Sequence, residues 1–140
     1  MSETIRAKAK LFLLRFLEAT AACLLVMVKG DVSALTASHW LTAMETGTLA
    51  GALVVAGSFT PLKRWLADPV AVALVVVLAT TAADFLVHPD HYGNGSLEAI
   101  LTGVGASGIY LAVTRWLAGG SSVLSAAPGD TGRPSIADKE

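Results

Sequence analysis

The sequence predicts an all-α integral membrane protein with four transmembrane helices. Four apolar runs fill most of the 140 residues, at positions 11–28, 40–59, 70–87 and 98–117. Each has about the length of a helix that crosses a bilayer, roughly 17–25 residues at about 1.5 Å per residue. Only 15% of the residues are charged, against about 25% in a soluble domain. We therefore predict a transmembrane domain over residues 1–118 and a flexible cytoplasmic tail, rich in Gly, Ser and Pro, over residues 119–140.

The first run follows a basic N-terminal segment, an order that also occurs in signal peptides. Arg15 and Glu18 interrupt the run, and no small-residue cleavage site closes it. We therefore expect this run to remain in the protein as the first span.

Basic residues are concentrated in every second connection. The N-terminal segment, the connection between the second and third runs and the C-terminal tail carry Lys and Arg, whereas the first connection holds only Lys29 and the third holds none. By the positive-inside rule this alternation predicts that both termini lie in the cytoplasm. Trp40 begins the second run on the outer side, and Trp65 and Trp116 flank the later runs on the inner side, at the headgroup level where Trp is enriched. The prediction is a multi-pass protein of the inner, cytoplasmic membrane, in direct contact with the lipid bilayer.

Turn-forming residues separate the later runs. Pro61 and Pro69 bracket the connection before the third run, where the N–H that proline lacks is not needed. Asn94 and Gly95 indicate a tight turn before the fourth run.

The second half of the membrane domain repeats the first. Residues 20–26, TAACLLV, match residues 81–87, TAADFLV, and residues 41–47, LTAMETG, match residues 97–103, LEAILTG. Each copy contains two spans and would enter the membrane from the same side. The repeat therefore predicts two helical hairpins related by an axis along the membrane normal.

Small residues recur at every fourth position in matching parts of the two copies. The stripe in the second span is Ala43, Gly47 and Gly51, and the stripe in the fourth span is Ala99, Gly103 and Ser107. Such stripes let helix backbones approach closely where lipid supplies no hydrophobic driving force. Two hypotheses stay open: packing within one chain, and self-association into a homo-oligomer.

Ionisable residues lie inside the predicted spans or at their ends: Arg15, Glu18, Glu45, Asp84 and His88. Arg15 and Glu18 are three residues apart, so we expect an ion pair with Arg15 reaching toward the inner interface. A polar lining or a protonatable site is the alternative. Asp84 and His88 are four residues apart and should form a hydrogen-bonded pair, whereas Glu45 has no basic residue nearby.

Three histidines, His39, His88 and His91, fall on the predicted outer side beside acidic residues. A proton-sensing or metal-binding rim is one hypothesis, because histidine titrates near neutral pH. Ordinary interfacial residues are the other. The spacing His-Pro-Asp-His is not one that zinc sites use, so no metal site is predicted.

No enzyme motif occurs in the sequence: there is no His-Glu-x-x-His, no Gly-rich phosphate loop and no Cys-x-x-Cys. We therefore predict no catalytic residue, no cofactor and no enzymatic activity. The net charge of −1 gives no sign of nucleic-acid binding. Cys23 is the single cysteine and cannot form a disulfide within the chain.

Residues 88–93, HPDHYG, followed by residues 97–103, LEAILTG, are similar to the last span of some membrane proteins of marine phages that are assigned as holins. The resemblance lies mainly in residues 84–118, about a quarter of the chain. It implies a small protein that self-associates in the cytoplasmic membrane and opens lesions, with a functional link to the cell-wall hydrolase that those lesions release. The C-terminal tail, in which acidic residues outnumber basic ones, departs from the basic tail of holins.

Two other functions stay open. In size the chain is similar to the small multidrug exporters, which are four-span, proton-coupled dimers, and Glu18 would be their essential carboxylate. Arg15 beside it and the lack of an aromatic cage depart from that family. The third possibility is an accessory subunit that packs against a larger membrane complex through the small-residue stripes.

Overall fold

Four α-helices account for most of the chain. The computed structural model describes residues 3–29, 31–61, 66–88 and 95–125, without the side chains of residues 119–125. The helices are α1 (Glu3–Met27), α2 (Ala37–Gly57), α3 (Pro69–Val87) and α4 (Ser96–Ser125), with a short 3-10 turn at Val32–Ala34. The described residues contain no strand, so the predicted all-α class is confirmed.

Each predicted span coincides with a helix, but two helices extend well beyond their runs. α1 begins at Glu3, because the basic N-terminal segment is built largely from Ala, Lys and Arg, which are good helix formers. α4 continues to Ser125, into the segment predicted to be a flexible tail. Two glycines at 119 and 120 cost only about 1 kcal/mol each in a helix, and the next proline is Pro128. The rest of the predicted tail, 126–140, lies outside the described residues.

Side-chain caps fix where the second and third helices begin. The Thr36 hydroxyl accepts a hydrogen bond from the His39 N–H at 3.4 Å, and His39 Nδ1 accepts one from the Thr36 N–H at 3.2 Å. Asp68 accepts hydrogen bonds from the N–H groups of Val70 and Ala71, both at 3.3 Å. Such caps satisfy N–H groups that have no partner within the helix itself.

The helices pack as two hairpins side by side. Lys8 donates a hydrogen bond to Ser58 Oγ at 2.7 Å and lies 3.5 Å from the centre of the Phe59 ring. These contacts join the start of α1 to the end of α2, so α1 and α2 are antiparallel. α3 packs against α4 in the second hairpin, while α1 also contacts α4 and α2 contacts α3. Every helix therefore has two neighbours, and α1 touches α3 only slightly.

Small and polar side chains fill the interior of this bundle. The largest side chains that are fully buried are Val76, Thr46, Thr80, Thr102, Asp84 and Cys23. Large apolar side chains face outward on every helix instead: Leu13 of α1 is 54% exposed, Leu41 of α2 66%, Leu78 of α3 69% and Leu101 of α4 47%. A water-soluble bundle places such residues in its core.

Among the described residues, α3 and the part of α4 from Ser96 to Ala118 are long and apolar enough to cross a membrane. α1 does not meet the same criterion, because Lys10, Arg15 and Glu18 all fall within its last eighteen residues. In α2, Glu45 and several Thr and Gly residues lower the mean hydropathy of the N-terminal half. Length and composition alone thus single out two of the four predicted spans.

Candidate functional site

The charged residues divide the bundle into two ends. The basic end, where α1 begins and α2 ends, carries Arg6, Lys8 and Lys10, and the Arg115 turn of α4 lies toward it. The opposite end carries His39 and His88 and is called here the histidine end. A buried polar cluster lies in the half of the bundle nearest each end.

The first cluster joins Arg15, Glu18 and Tyr110. Arg15 Nη1 donates to Glu18 Oε2 at 2.5 Å, as the three-residue spacing predicts. The Arg15 guanidinium lies 4.4 Å from the centre of the Tyr110 ring on α4, a cation–π arrangement. Arg15 therefore does not extend out of the bundle, as the expected reach toward the interface would require. It stays 7% exposed, because Glu18 and Tyr110 together supply partners inside the bundle.

This first cluster links the two hairpins, since Arg15 and Glu18 belong to α1 and Tyr110 to α4. Arg15 Nε is buried and has no hydrogen-bond partner among the described residues. The Arg15 guanidinium is thus hydrogen-bonded to Glu18 through Nη1, whereas its Nε–H group is left without an acceptor among the described residues.

The second cluster consists of Cys23, Thr46, Asp84 and His88, from three different helices. Cys23 Sγ lies 3.8 Å from Thr46 Oγ1 and 3.7 Å from Asp84 Oδ1. His88 Nδ1 lies 3.4 Å from the same Asp84 oxygen, as the four-residue spacing predicts. Asp84 is only 1% exposed. The cluster therefore places a carboxylate, a thiol and an imidazole together at the boundary between the hairpins.

Residues that match in the sequence repeat make matching contacts. A Cβ atom added to Gly47 would lie 2.7 Å from the Phe16 carbonyl oxygen and would also collide with the Thr20 hydroxyl. One added to Gly103 would lie 2.7 Å from the Val77 carbonyl oxygen and would collide with the Thr81 hydroxyl. Positions 16, 20 and 47 of the first hairpin are the counterparts of 77, 81 and 103 of the second. The two hairpins therefore use the same close helix crossing.

The contacts between the hairpins follow the same correspondence. Ala22 of α1 belongs to a buried cluster with Ala106 of α4, and Ala83 of α3 belongs to another with Ala50 of α2. Positions 22 and 83 match in the repeat, as do 50 and 106. Cys23 and Asp84 are also a matching pair, and they contact each other directly. This is the arrangement that a twofold axis between the hairpins produces.

The small-residue stripes lie inside the chain's own bundle. All six residues are buried: Ala43, Gly47, Gly51, Ala99, Gly103 and Ser107. Gly47 and Gly51 face α1, and Gly103 faces α3. The structure thus uses these stripes for packing within one chain, and a second copy could reach the glycines only after the two helices of a hairpin separate.

Glu45 lies apart from both clusters. Its side chain is exposed on α2, in a groove that α2 and α3 form together. Leu41, Met44 and Leu86 line this groove.

The predicted histidine rim is only partly assembled. His39 caps α2 and is not part of the second cluster, while His91 lies outside the described residues. In the loop after α1, the hydroxyl of Ser33 donates to Asp31 Oδ1 at 2.6 Å and its N–H donates at 3.0 Å. These hydrogen bonds lower the pKa of the Asp31 carboxyl.

Sequence reasoning missed Tyr110 and Cys23 as members of these clusters. Tyr110 lies in an apolar run of α4, and no local spacing connects it with Arg15. The signal for Cys23 was present, since the repeat aligns it with Asp84. In two hairpins related by a twofold axis, matching residues that face the axis come into contact.

No protein-family model, curated protein or solved structure matches the chain. Relatedness therefore does not decide among the three functions that the sequence leaves open.

Proposed function

We propose that the protein crosses the cytoplasmic membrane four times, self-associates there and permeabilises it in the manner of a holin. The observation that carries this proposal is the inverted distribution of side chains: small and polar residues lie inside the bundle and large apolar residues lie outside. Lipid is the solvent that such a surface requires.

The inverted distribution extends to the two helices that composition alone does not single out. On α1, Leu13, Leu17 and Leu25 are 54%, 52% and 51% exposed, while Arg15 and Glu18 point inward. On α2, Leu41 and Leu53 are exposed, at 66% and 38%. Arg15 and Glu18, which lower the hydropathy of α1, would therefore not contact the hydrocarbon core of the bilayer. This supports four spans.

The charge difference between the two ends supports the orientation. Lys and Arg are enriched on the cytoplasmic side of membrane proteins, and α1 carries Arg6, Lys8 and Lys10 near its start. We therefore place the basic end, and with it both termini, in the cytoplasm. The histidine end then faces the outside.

The exposed Glu45 supports self-association. A charged side chain facing the centre of the bilayer costs at least about 2.5 kcal/mol. A second copy seated in the groove beside Glu45 would shield the carboxylate from lipid and offer it a hydrogen-bond partner. The groove between α2 and α3 is therefore the proposed contact between copies, in place of the buried stripes.

The polar interior supports permeabilisation. Arg15, Glu18 and Asp84 all lie between the hairpins. If several copies opened along this boundary, those side chains would line a water-filled lesion while the leucines stayed in lipid. Such a lesion would release a cell-wall hydrolase from the cytoplasm.

Controlled expression in bacteria with a membrane-potential dye tests this function. We expect abrupt loss of the potential and growth arrest after induction, and lysis when a cytoplasmic cell-wall hydrolase is co-expressed. Cells with the empty vector and the same hydrolase are the control. Normal growth and a stable potential at full induction would rule out the proposal, and copurification of one fixed partner would favour an accessory subunit instead.

A further inference from the structure

We propose that Cys23, Asp84 and His88 bind a zinc ion at the histidine end of the bundle. Their candidate ligand atoms, a sulfur, a carboxylate oxygen and an imidazole nitrogen, all lie within 4.8 Å of one another. Cys23 comes from α1, and the other two residues from the end of α3. Because Cys23 lies far from Asp84 and His88 in the sequence, no metal-binding sequence motif identifies the site.

The distances suit a tetrahedral ion. Zinc, with Zn–S bonds of about 2.3 Å and Zn–N and Zn–O bonds of about 2.0 Å, holds sulfur and oxygen about 3.5 Å apart and nitrogen and oxygen about 3.3 Å apart. Cys23 Sγ lies 3.7 Å from Asp84 Oδ1, and His88 Nδ1 lies 3.4 Å from that oxygen. The Cys23 sulfur and the His88 nitrogen lie within 4.8 Å of each other and would have to move to about 3.5 Å to share the ion. The three side chains would then fill three coordination positions, and water would take the fourth.

The donor set also balances the charge. A thiolate from Cys23 and the carboxylate of Asp84 together carry two negative charges, which one Zn²⁺ neutralises. Binding forms a Zn–S bond, and the thiol proton passes to solvent. A buried anion is costly unless it is paired or bound to a metal, and Asp84 is 1% exposed.

The surroundings hold the ligands and leave a route for the ion. The His88 N–H donates to the Asp84 carbonyl oxygen at 2.8 Å, which fixes the end of α3. Thr46 lies beside the Cys23 thiol on α2. The His88 side chain is 16% exposed and Asp84 1%, so the proposed entry of the ion is past His88 at the histidine end.

The bound ion would connect the two hairpins, because Cys23 belongs to the first and Asp84 and His88 to the second. This consequence goes beyond the proposed permeabilisation and does not depend on it. Binding can be measured on the purified full-length chain in detergent micelles, whatever the chain does to a membrane.

Titration with Co²⁺, followed by displacement with Zn²⁺, tests the site. We expect one ion per chain, the charge-transfer band of a cobalt–thiolate bond, and loss of that band when Zn²⁺ is added. Cys23→Ser should abolish the band, and Asp84→Asn should weaken Zn²⁺ binding at least about tenfold. Mg²⁺ should not compete, because it prefers oxygen ligands.

Two variants serve as matched controls. His39→Asn changes a histidine at the same end that caps α2, and Met27→Leu changes the thioether 3.5 Å from the Cys23 sulfur. Both should bind Zn²⁺ as the unaltered chain does. Far-UV circular dichroism checks that every variant is folded. Absence of the thiolate band in the unaltered, folded chain would overturn the proposal, as would equal Zn²⁺ affinity in folded Cys23→Ser.

Discussion

Single residues set how closely the helices approach. Gly47 and Gly103 each lie against a backbone carbonyl and a threonine hydroxyl of the neighbouring helix. The Thr20 and Thr81 hydroxyls have no conventional hydrogen-bond partner in the described part of the chain. Their positions over glycine suit the weak Cα–H···O contacts that occur where helices pack closely. One methyl group at either glycine would therefore push a hairpin apart.

Gly47→Ala and Gly103→Ala should each destabilise the bundle by about 1–3 kcal/mol, the usual cost of overpacking. The neighbouring backbone carbonyls cannot rotate away as a flexible side chain would. Unfolding in mixed micelles of increasing SDS content, followed by circular dichroism, measures the change. Gly108→Ala is the control, because its added Cβ meets nothing within 4 Å. Equal destabilisation by all three changes would contradict the close-approach argument.

Arg15 and Glu18 provide a second prediction. Glu18→Gln should destabilise the bundle by about 3–5 kcal/mol, because it leaves the Arg15 charge buried without its partner. The double variant Arg15→Met, Glu18→Leu should recover most of that loss, since it removes both charges and keeps apolar volume. The same SDS titration compares them. If the double variant were less stable than Glu18→Gln, the prediction would be wrong. The ion pair would then stabilise the bundle more than apolar side chains of similar volume can.

The starts of the helices are decided by local chemistry. Thr36 and Asp68 cap α2 and α3, and Pro69 occupies the first turn of α3. Proline suits this position because its missing N–H would have no helical partner. The end of α4 is not signalled in the same way, since its glycines weaken a helix without ending it. The capped starts of α2 and α3 lie within three residues of the predicted ones, whereas the start of α1 and the end of α4 each lie eight residues beyond the predicted run.

Asp68→Ala should lower stability by about 1 kcal/mol, the typical cost of losing an N-cap. Asp68→Asn should retain most of the stability, because its amide oxygen can accept the same hydrogen bonds. Amide hydrogen exchange at Val70 and Ala71 measures the local effect. Exchange in Asp68→Ala as slow as in the unaltered chain would show that the cap does not hold this end.

At the scale of the whole molecule, large apolar side chains cover the outside of the helices, and the exposed carboxylate of Glu45 lies among them on α2. Glu45 and Met44 lie in the same groove between α2 and α3. The proposed oligomer covers this groove and leaves the outer face of α1, with Leu13, in lipid. A neighbouring copy should therefore contact the groove between α2 and α3 and should not contact the outer face of α1.

Met44→Cys, introduced with Cys23→Ala, should form a disulfide between copies in native membranes. Leu13→Cys should not, although its exposed fraction is similar, 54% against 46% for Met44. Adding Glu45→Leu to the Met44→Cys chain should reduce cross-linking, because a carboxylate no longer has to be shielded from lipid. Non-reducing gel electrophoresis measures the yield. Equal cross-linking at positions 13 and 44 would contradict the proposed contact.

The amino-acid sequence by itself determined the all-helical class, the approximate helix positions, the Arg15–Glu18 and Asp84–His88 pairs and the match between the two halves. These follow from spacing along one helix and from composition, which are properties of neighbouring residues. Only the tertiary structure decided that Arg15 stacks on Tyr110, that Cys23 meets Asp84 and that the small-residue stripes face inward. Those contacts join different helices, so they depend on how the helices pack in three dimensions. Gly47 and Gly103 set the spacing of the helices within each hairpin, and the alanine contacts of Ala22 with Ala106 and of Ala50 with Ala83 set how the hairpins meet.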